Sequence, residues 1–161
     1  MRLSKRCEYG LRALIDLGIA REQGRPRLRA ADLSRHERIP VPFLEQILLQ
    51  LRKAGYVEGR RGKLGGYALA RPMKSIGMGD VVRLFDGRLA PIACVSRVAY
   101  ERCSCPDEDH CGLRLLMSDV RSAVVSVLDR HTLEDVVEVT LRKMRRNRRR
   151  VPFPVLTEVR R

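Results

Sequence analysis

Val41-Pro42-Phe43-Leu44-Glu45-Gln46-Ile47-Leu48-Leu49-Gln50-Leu51-Arg52-Lys53-Ala54-Gly55 is the stretch from which the fold is read. Leu44, Ile47, Leu48 and Leu51 fall at i, i+3, i+4 and i+7, the spacing that lines one face of a helix. The other face carries Glu45, Gln46, Leu49, Gln50, Arg52 and Lys53. Pro42 suits the first turn, where its missing N–H costs nothing. The helix is predicted to run to Ala54, with Gly55 as its stop.

Working outward, Ala30 to His36 reads as a short helix with Ala31 and Leu33 turned inward, and Glu37 to Val41 as the turn between the two helices. Downstream, Tyr56–Arg60 and Tyr67–Arg71 have the lengths of two edge strands, and Pro72 ends the second. Between them Gly62 to Gly66 makes a flexible tip that bears Lys63 and is flanked by Arg61. A half-buried helix followed by a glycine-tipped basic ribbon is the chemistry of a winged helix-turn-helix. The expected fold is mainly α with a small β-ribbon.

Charge distribution agrees. The 161-residue chain carries +14. The segments 1–29 and 30–75 contribute +5 each, 76–141 contributes −4, and 142–161 contributes +8. A polyanionic partner fits the basic N-terminal half. The tail reads either as a solvated basic end or as a nucleic-acid arm. Hydrophobic content of 44% allows a core, which aromatics at 4% make aliphatic. No export signal or membrane span is evident, so a cytoplasmic protein is expected. There is no nucleophile–base pairing or phosphate loop, and an enzyme is not expected.

Ser4 is the expected N-cap of a first helix reaching about Arg21, with Cys7, Leu11, Leu14, Ile15 and Ile19 on its buried face. Leu28 is placed to begin a short strand, and Asp80 to Asp86 reads as a short helix. A loop from Gly87 to His110 follows. Cys111 then opens a long helix whose Leu113, Leu116, Met117, Val120, Val124, Val127 and Leu128 alternate steps of three and four. That stripe exceeds what the remaining domain can bury, so a second copy is the economical partner, with packing on the chain's own first helix as the alternative. Thr132 and Asp135 resemble a capping box that starts a last helix through Val136, Val139 and Leu141. The expected organisation is a DNA-binding domain at 1–75, a cysteine loop with dimerisation and last helices at 76–141, and a disordered basic tail at 142–161.

Val41, Glu45, Gln46 and Gln50 are placed to meet base edges in the major groove. Glu45 is informative, because phosphates repel a carboxylate while cytosine N4 donates to one. Arg61 suits the minor groove. Arg60, Lys63, Arg52, Lys53, Lys5 and Arg6 suit phosphates. His36 reads as a surface residue, His131 as local to a helix junction, and Cys7 as core. Cys94, Cys103, Cys105 and Cys111 lie within 18 residues, which without an export signal points to metal or redox chemistry. No Cys-x-x-Cys knuckle is present, which disfavours zinc. A Cys103–Cys105 disulfide would close a strained ring, and free thiols in an effector loop are a further reading.

The sequence resembles the Rrf-type family of small bacterial winged-helix transcription regulators that includes IscR, NsrR, RirA and CymR. The matching pieces are Met1-Arg2-Leu3-Ser4 with Tyr9 and Leu14-Ile15-Asp16-Leu17; Phe43-Leu44-Glu45-Gln46; Leu51-Arg52-Lys53-Ala54-Gly55; Arg61-Gly62 with Gly65-Gly66-Tyr67; Gly79-Asp80-Val81; and Thr132-Leu133. They cover about residues 1–137 in family order. The wing departs from the family pattern, with Lys63-Leu64 inserted and one glycine fewer. The resemblance implies homodimers on partly palindromic promoter sites, more often as repressors. It also implies an iron–sulfur cluster, [2Fe–2S] or [4Fe–4S], that senses iron–sulfur, redox or nitrosative state. By that resemblance the ligands are Cys94, Cys105 and Cys111, with Cys103 able to replace Cys105 and Glu8 of the other subunit as the favoured fourth. Arg114 stands where some members have a histidine ligand, and His110 is a local competitor. Two other readings stay open: the same regulator without a cluster, controlled by a partner protein or thiol oxidation, and a basic RNA-binding factor.

Overall fold

Helix α1, Lys5–Glu22, is the element around which the others pack. Ser4 caps it, its hydroxyl accepting from the Cys7 N–H at 3.1 Å. The Ser4 N–H also donates to Asp86 at 3.0 Å, which holds the start of α1 against the end of a later helix. The computed structural model describes residues 2–62, 65–87, 89–147 and 152–153. Lys63 and Leu64, and most of the tail beyond Asn147, lie outside the described residues.

Helices α2, Ala30–Glu37, and α3, Val41–Lys53, form the helix-turn-helix. Arg38 takes the left-handed conformation, φ 54°, that ends α2. Leu44, Ile47, Leu48 and Leu51 are all fully buried, as their spacing predicts. Leu33 is buried on α2, but Ala31 faces solvent and Ala30 packs on the core instead. At the far end of α3, Gly55 turns with φ 74°. Arg71 then donates to the carbonyls of Gly55 and Ala54, each at 2.9 Å, satisfying the helix end with a cation.

The ribbon pairs β1, Val57–Arg60, antiparallel with β2, Gly66–Leu69, in the register Val57↔Leu69 to Arg60↔Gly66. Leu28 adds a single bridge to Tyr67 rather than a strand, with N–H···O distances of 2.9 and 2.8 Å. The third lane fixes the base of the wing. Gly66 is required there, since its φ is 133° and a Cβ would stand 2.6 Å from the Leu28 carbonyl oxygen.

The core continues past residue 75. Helix α4, Met78–Asp86, and helix α6, Leu133–Arg146, lay Met78, Val81, Leu133 and Val137 into one cluster with Leu14, Leu17, Leu44 and Leu48. Residues 1–75 and 76–141 therefore share a core. Gly18 lets α1 and α6 meet, as a Cβ there would fall 2.6 Å from Val137 Cγ2. The capping box is present: Thr132 Oγ1 accepts from Asp135 N and Asp135 accepts from Thr132 N. On α6 the inward residues are Leu133 and Val137, while Val139 is exposed. The helix runs on to Arg146, so the first five residues assigned to a disordered tail are helical. Phe153 returns to the core and is 3% exposed.

Helix α5, Gly112–Arg130, begins at Cys111 and has no fully buried residue. It rests mainly on α4, and its Val125 and Leu128 pack against a small cluster made of Cys7 on α1, Val82 on α4 and Leu89. Leu113, Leu116, Val120 and Val127 stand 40–57% exposed. Among the described residues no helix is long and apolar enough to cross a membrane.

Candidate nucleic-acid interface and cysteine loop

The first two turns of α3 present Val41, Glu45 and Gln46 to solvent. Beyond them Leu49 is 37% exposed, an apolar neighbour that the sequence reading left among the polar residues. Gln50 is half-buried and engaged within the chain. Its side-chain amide donates to the Leu84 carbonyl at 3.2 Å, turning it toward α4 and away from the reading face. Periodicity places Gln50 on the flank of the buried stripe, and α4 supplies an acceptor there.

Arg52, Lys53, Arg60, Arg61 and Arg6 are exposed, and their side chains have no hydrogen bond or ion pair with any described residue. Their charges are available to phosphate. Lys5 is engaged on its own helix, 2.8 Å from Glu8 and 5.5 Å from the centre of the Tyr9 ring. Glu58 on β1 is taken by Arg27, so the ribbon's outer face is left basic.

The four clustered cysteines line one recess of about 250 Å³ at the start of α5, together with Ile92, Glu101, Arg102 and Leu113. Cys94 is buried at the middle of a single 3-10 turn, Ala93–Val95. All are free thiols. Cys105 hydrogen-bonds both Cys103 and Cys111, and Cys94 meets Cys103. The bond from Cys105, with its main chain, lowers the Cys103 thiol. The same bond, then burial, pushes Cys105 up to about 12. Burial and the neighbouring Cys103 raise Cys94.

The sulfurs form a string, and no three of them lie mutually within 4.8 Å among the described residues. Four thiolates on one zinc ion would all stand about 3.8 Å apart. Thiolate is a ligand both of zinc and of iron–sulfur clusters.

Of the other ligand candidates, His110 Nδ1 is bound to Asp107 at 2.8 Å on an exposed turn. Arg114 pairs with Glu108 at 3.5 Å, and Glu108 accepts from the Tyr100 hydroxyl, which stitches the loop together. Within one chain Glu8 does not line the recess. It pairs with Lys5 and Arg12, and the Lys5 bond holds its carboxyl below the usual range.

The loop is wired to the reading head. Arg121 on α5 donates to the Val95 carbonyl at 2.6 Å. Asp129, two turns later, accepts from Arg83 on α4 at 2.8 Å. Leu84, beside Arg83, accepts from Gln50 on α3. None of these three contacts has a local sequence signal.

Nor does a second cluster. Asp16 is buried on α1, and burial with Glu37 beside it pushes its carboxyl up to about 8. His36 is more than a surface residue: it faces Asp16 at 3.6 Å and lies against the Phe153 ring, centroids 4.9 Å apart. The one available signal was an aspartate inside the apolar run Leu14-Ile15-Asp16-Leu17.

Comparison with known proteins agrees with this architecture. The profile of a family described as Rrf2, iron-dependent transcriptional regulator, matches residues 3–139. An rrf2-like protein of Rhodobacter capsulatus is 36% identical over 137 residues, 84% of this chain and 91% of that protein. The HTH-type transcriptional regulator NsrR of Geobacillus kaustophilus is 32% identical over 151 residues, 92% of this chain and 99% of NsrR. The solved structure of CymR, the global cysteine regulator of B. subtilis, superposes with a TM-score of 0.72 at 29% identity, covering 86% of this chain and 98% of that one.

Proposed function

We propose that this chain, which belongs to the Rrf2 family of transcriptional regulators, reads promoter DNA as a homodimer, acts as a repressor, and reports through its cysteine loop on iron–sulfur, redox or nitrosative state. The family is one of transcriptional regulators and not of enzymes. DNA reading falls to Val41, Glu45 and Gln46, with Arg6, Arg52, Lys53, Arg60 and Arg61 on phosphates and groove. Lys5 and Lys63 complete the proposed set; Lys63 lies outside the described residues.

The observation that carries the sensing reading is the convergence of Cys94, Cys103, Cys105 and Cys111 on one recess at the N-terminus of α5. Cys94, Cys111 and either Cys105 or Cys103 would hold an iron–sulfur cluster, with Glu8 of a second subunit as the fourth ligand. When bound, such a cluster supplies a centre whose oxidation state or integrity changes with the redox or nitrosative surroundings. This chain's residues do the rest. Cys111 starts α5, Arg121 ties α5 to the loop at Val95, and Asp129–Arg83 and Leu84–Gln50 carry its position to α3. A rearranged loop thus biases the placement of α3. DNA affinity changes only as far as two such states differ in free energy for DNA.

The test is anaerobic purification with iron, sulfide and zinc determination and an absorption spectrum. Iron and sulfide bound together, and lost from Cys94→Ser and Cys111→Ser proteins, is the expected result. A colourless, iron-free protein that still binds its operator would overturn the cluster and leave the regulator under thiol or partner control. Zinc in place of iron and sulfide would make the loop a structural site. A duplex DNA against RNA competition tests the remaining alternative, and Glu45 on the reading face argues for DNA.

A further inference from the structure

Asp16, His36 and Glu37 come together where α1 passes under α2, at the back of the helix-turn-helix and apart from the cysteine loop. Their ligand atoms all lie within 4.8 Å of one another, the one such group among the described residues. His36 Nε2 stands 3.6 Å from Asp16 Oδ1 and 3.9 Å from Glu37 Oε1. Both distances are too long for hydrogen bonds. They are close to the spacing of two donors on one metal ion, about 3.4 Å for bonds of about 2.1 Å at a tetrahedral angle.

Three further observations shape the site. The Asp16 side chain is 4% exposed, and its Oδ2 has no hydrogen-bond partner. A buried carboxylate oxygen without a partner is costly unless something else occupies the space beside it. Arg12 binds Glu37 through Oε2 and donates to the Glu37 carbonyl at 2.8 Å, which leaves Oε1 toward His36. The Phe153 ring against His36 restrains the imidazole. Burial and Glu37 hold the Asp16 carboxyl well above the usual carboxylate range, so a bound cation would displace its proton and then face two carboxylates against the one guanidinium of Arg12. With its side chain 37% exposed, His36 leaves a path for a small hydrated ion.

We infer that Asp16 Oδ1, His36 Nε2 and Glu37 Oε1 form a binding site for a first-row divalent cation that clamps α2 to α1. One imidazole and two carboxylates form a borderline-to-hard donor set, suited to Mn²⁺, Fe²⁺ or Zn²⁺ and distinct from the all-thiol recess. The site stands whichever way the cysteine loop is read. Occupancy would join the first helix of the reading head to the central helix of the core and so raise the stability of the head.

Mn²⁺ is the probe, because carboxylate and imidazole hold it while thiols do so poorly. Full-length protein is titrated with Mn²⁺, free ion is read by electron paramagnetic resonance, and the melting temperature is followed with and without the ion. The expected result is stoichiometric Mn²⁺ binding and a raised Tm in the parent and in Cys111→Ser protein. Both effects should be lost in His36→Gln, a half-exposed position where folding is not at stake, and in Asp16→Asn. No Mn²⁺ bound by the parent, or equal binding by His36→Gln, would overturn the site.

Discussion

Gln50 on α3 donates its side-chain amide to the main-chain carbonyl of Leu84 on α4, 3.2 Å away. The helix that reads DNA is thereby tied to the helix on which α5 rests. The bond spends a polar side chain of the reading helix on internal geometry. It also places one hydrogen bond at the junction between the DNA-binding head and the elements that carry the cysteine loop.

Gln50→Ala removes that bond and leaves the Leu84 carbonyl to find water. Unfolding in urea should show a loss of about 1 kcal/mol, the usual worth of one such bond. Base preference across operator variants should not move, since the amide is not offered to DNA. A changed preference would return Gln50 to the reading set.

Glu45 and Arg61 should fail in different ways. Glu45→Ala should relax preference at one base position while keeping much of the affinity, because a carboxylate adds selectivity and no phosphate attraction. Unchanged preference across operator variants would remove Glu45 as a reader. Arg61→Ala should weaken binding to all sequences and lower the salt slope by about one unit. A slope equal to the parent's would take Arg61 off the DNA.

Leu116→Asp tests the face of α5. Leu116 is 57% exposed in the single chain, in line with exposed Leu113 and Val120. A carboxylate there has water around it in a monomer and apolar side chains around it in a dimer. Sedimentation should show the parent as a dimer and Leu116→Asp protein shifted toward monomer, with the helical signal kept. An unshifted dimer would place the interface elsewhere.

The box at Thr132 gives a pH dependence. The N–H and hydroxyl of Thr132 hold the Asp135 carboxyl below the usual carboxylate range. A group whose folded pKa is lowered adds stability above its unfolded pKa and loses it as pH falls through the folded one. Thr132→Ala should therefore lower Tm at neutral pH, and the gap from the parent should narrow below the carboxylate range. A gap that stays constant into acid would mean that the Thr132 hydroxyl contributes nothing through the Asp135 charge.

Local chemistry was readable along the chain. The Leu44–Leu51 stripe, Gly55 as the stop, the Ser4 cap, the Thr132 box and the glycine tip each depend on residues a few positions apart. Misplacements occurred where two faces of one short helix were both apolar. Ala30 and Ala31, or Val137 and Val139, are equal by composition, and the neighbouring helix chose between them. The tail was read as ending α6 at its basic run, yet Arg142 to Arg146 stay helical. Arginine and lysine are good helix formers, and their charge suits a helix C-terminus.

By itself the sequence determined a winged helix-turn-helix, the solvent-facing side of its second helix and a cysteine-rich loop before a long apolar helix, because periodicity, capping and turn chemistry act over one or two turns of chain. Tertiary structure alone decided that Gln50 faces Leu84, that four thiols share one recess, and that Asp16 meets His36 under Phe153. The thiols aside, those contacts join residues from 20 to more than 100 positions apart. Which side chains meet at such separations is set by how α1, α3, α4 and α6 bury their apolar faces against one another, and no single segment carries that information.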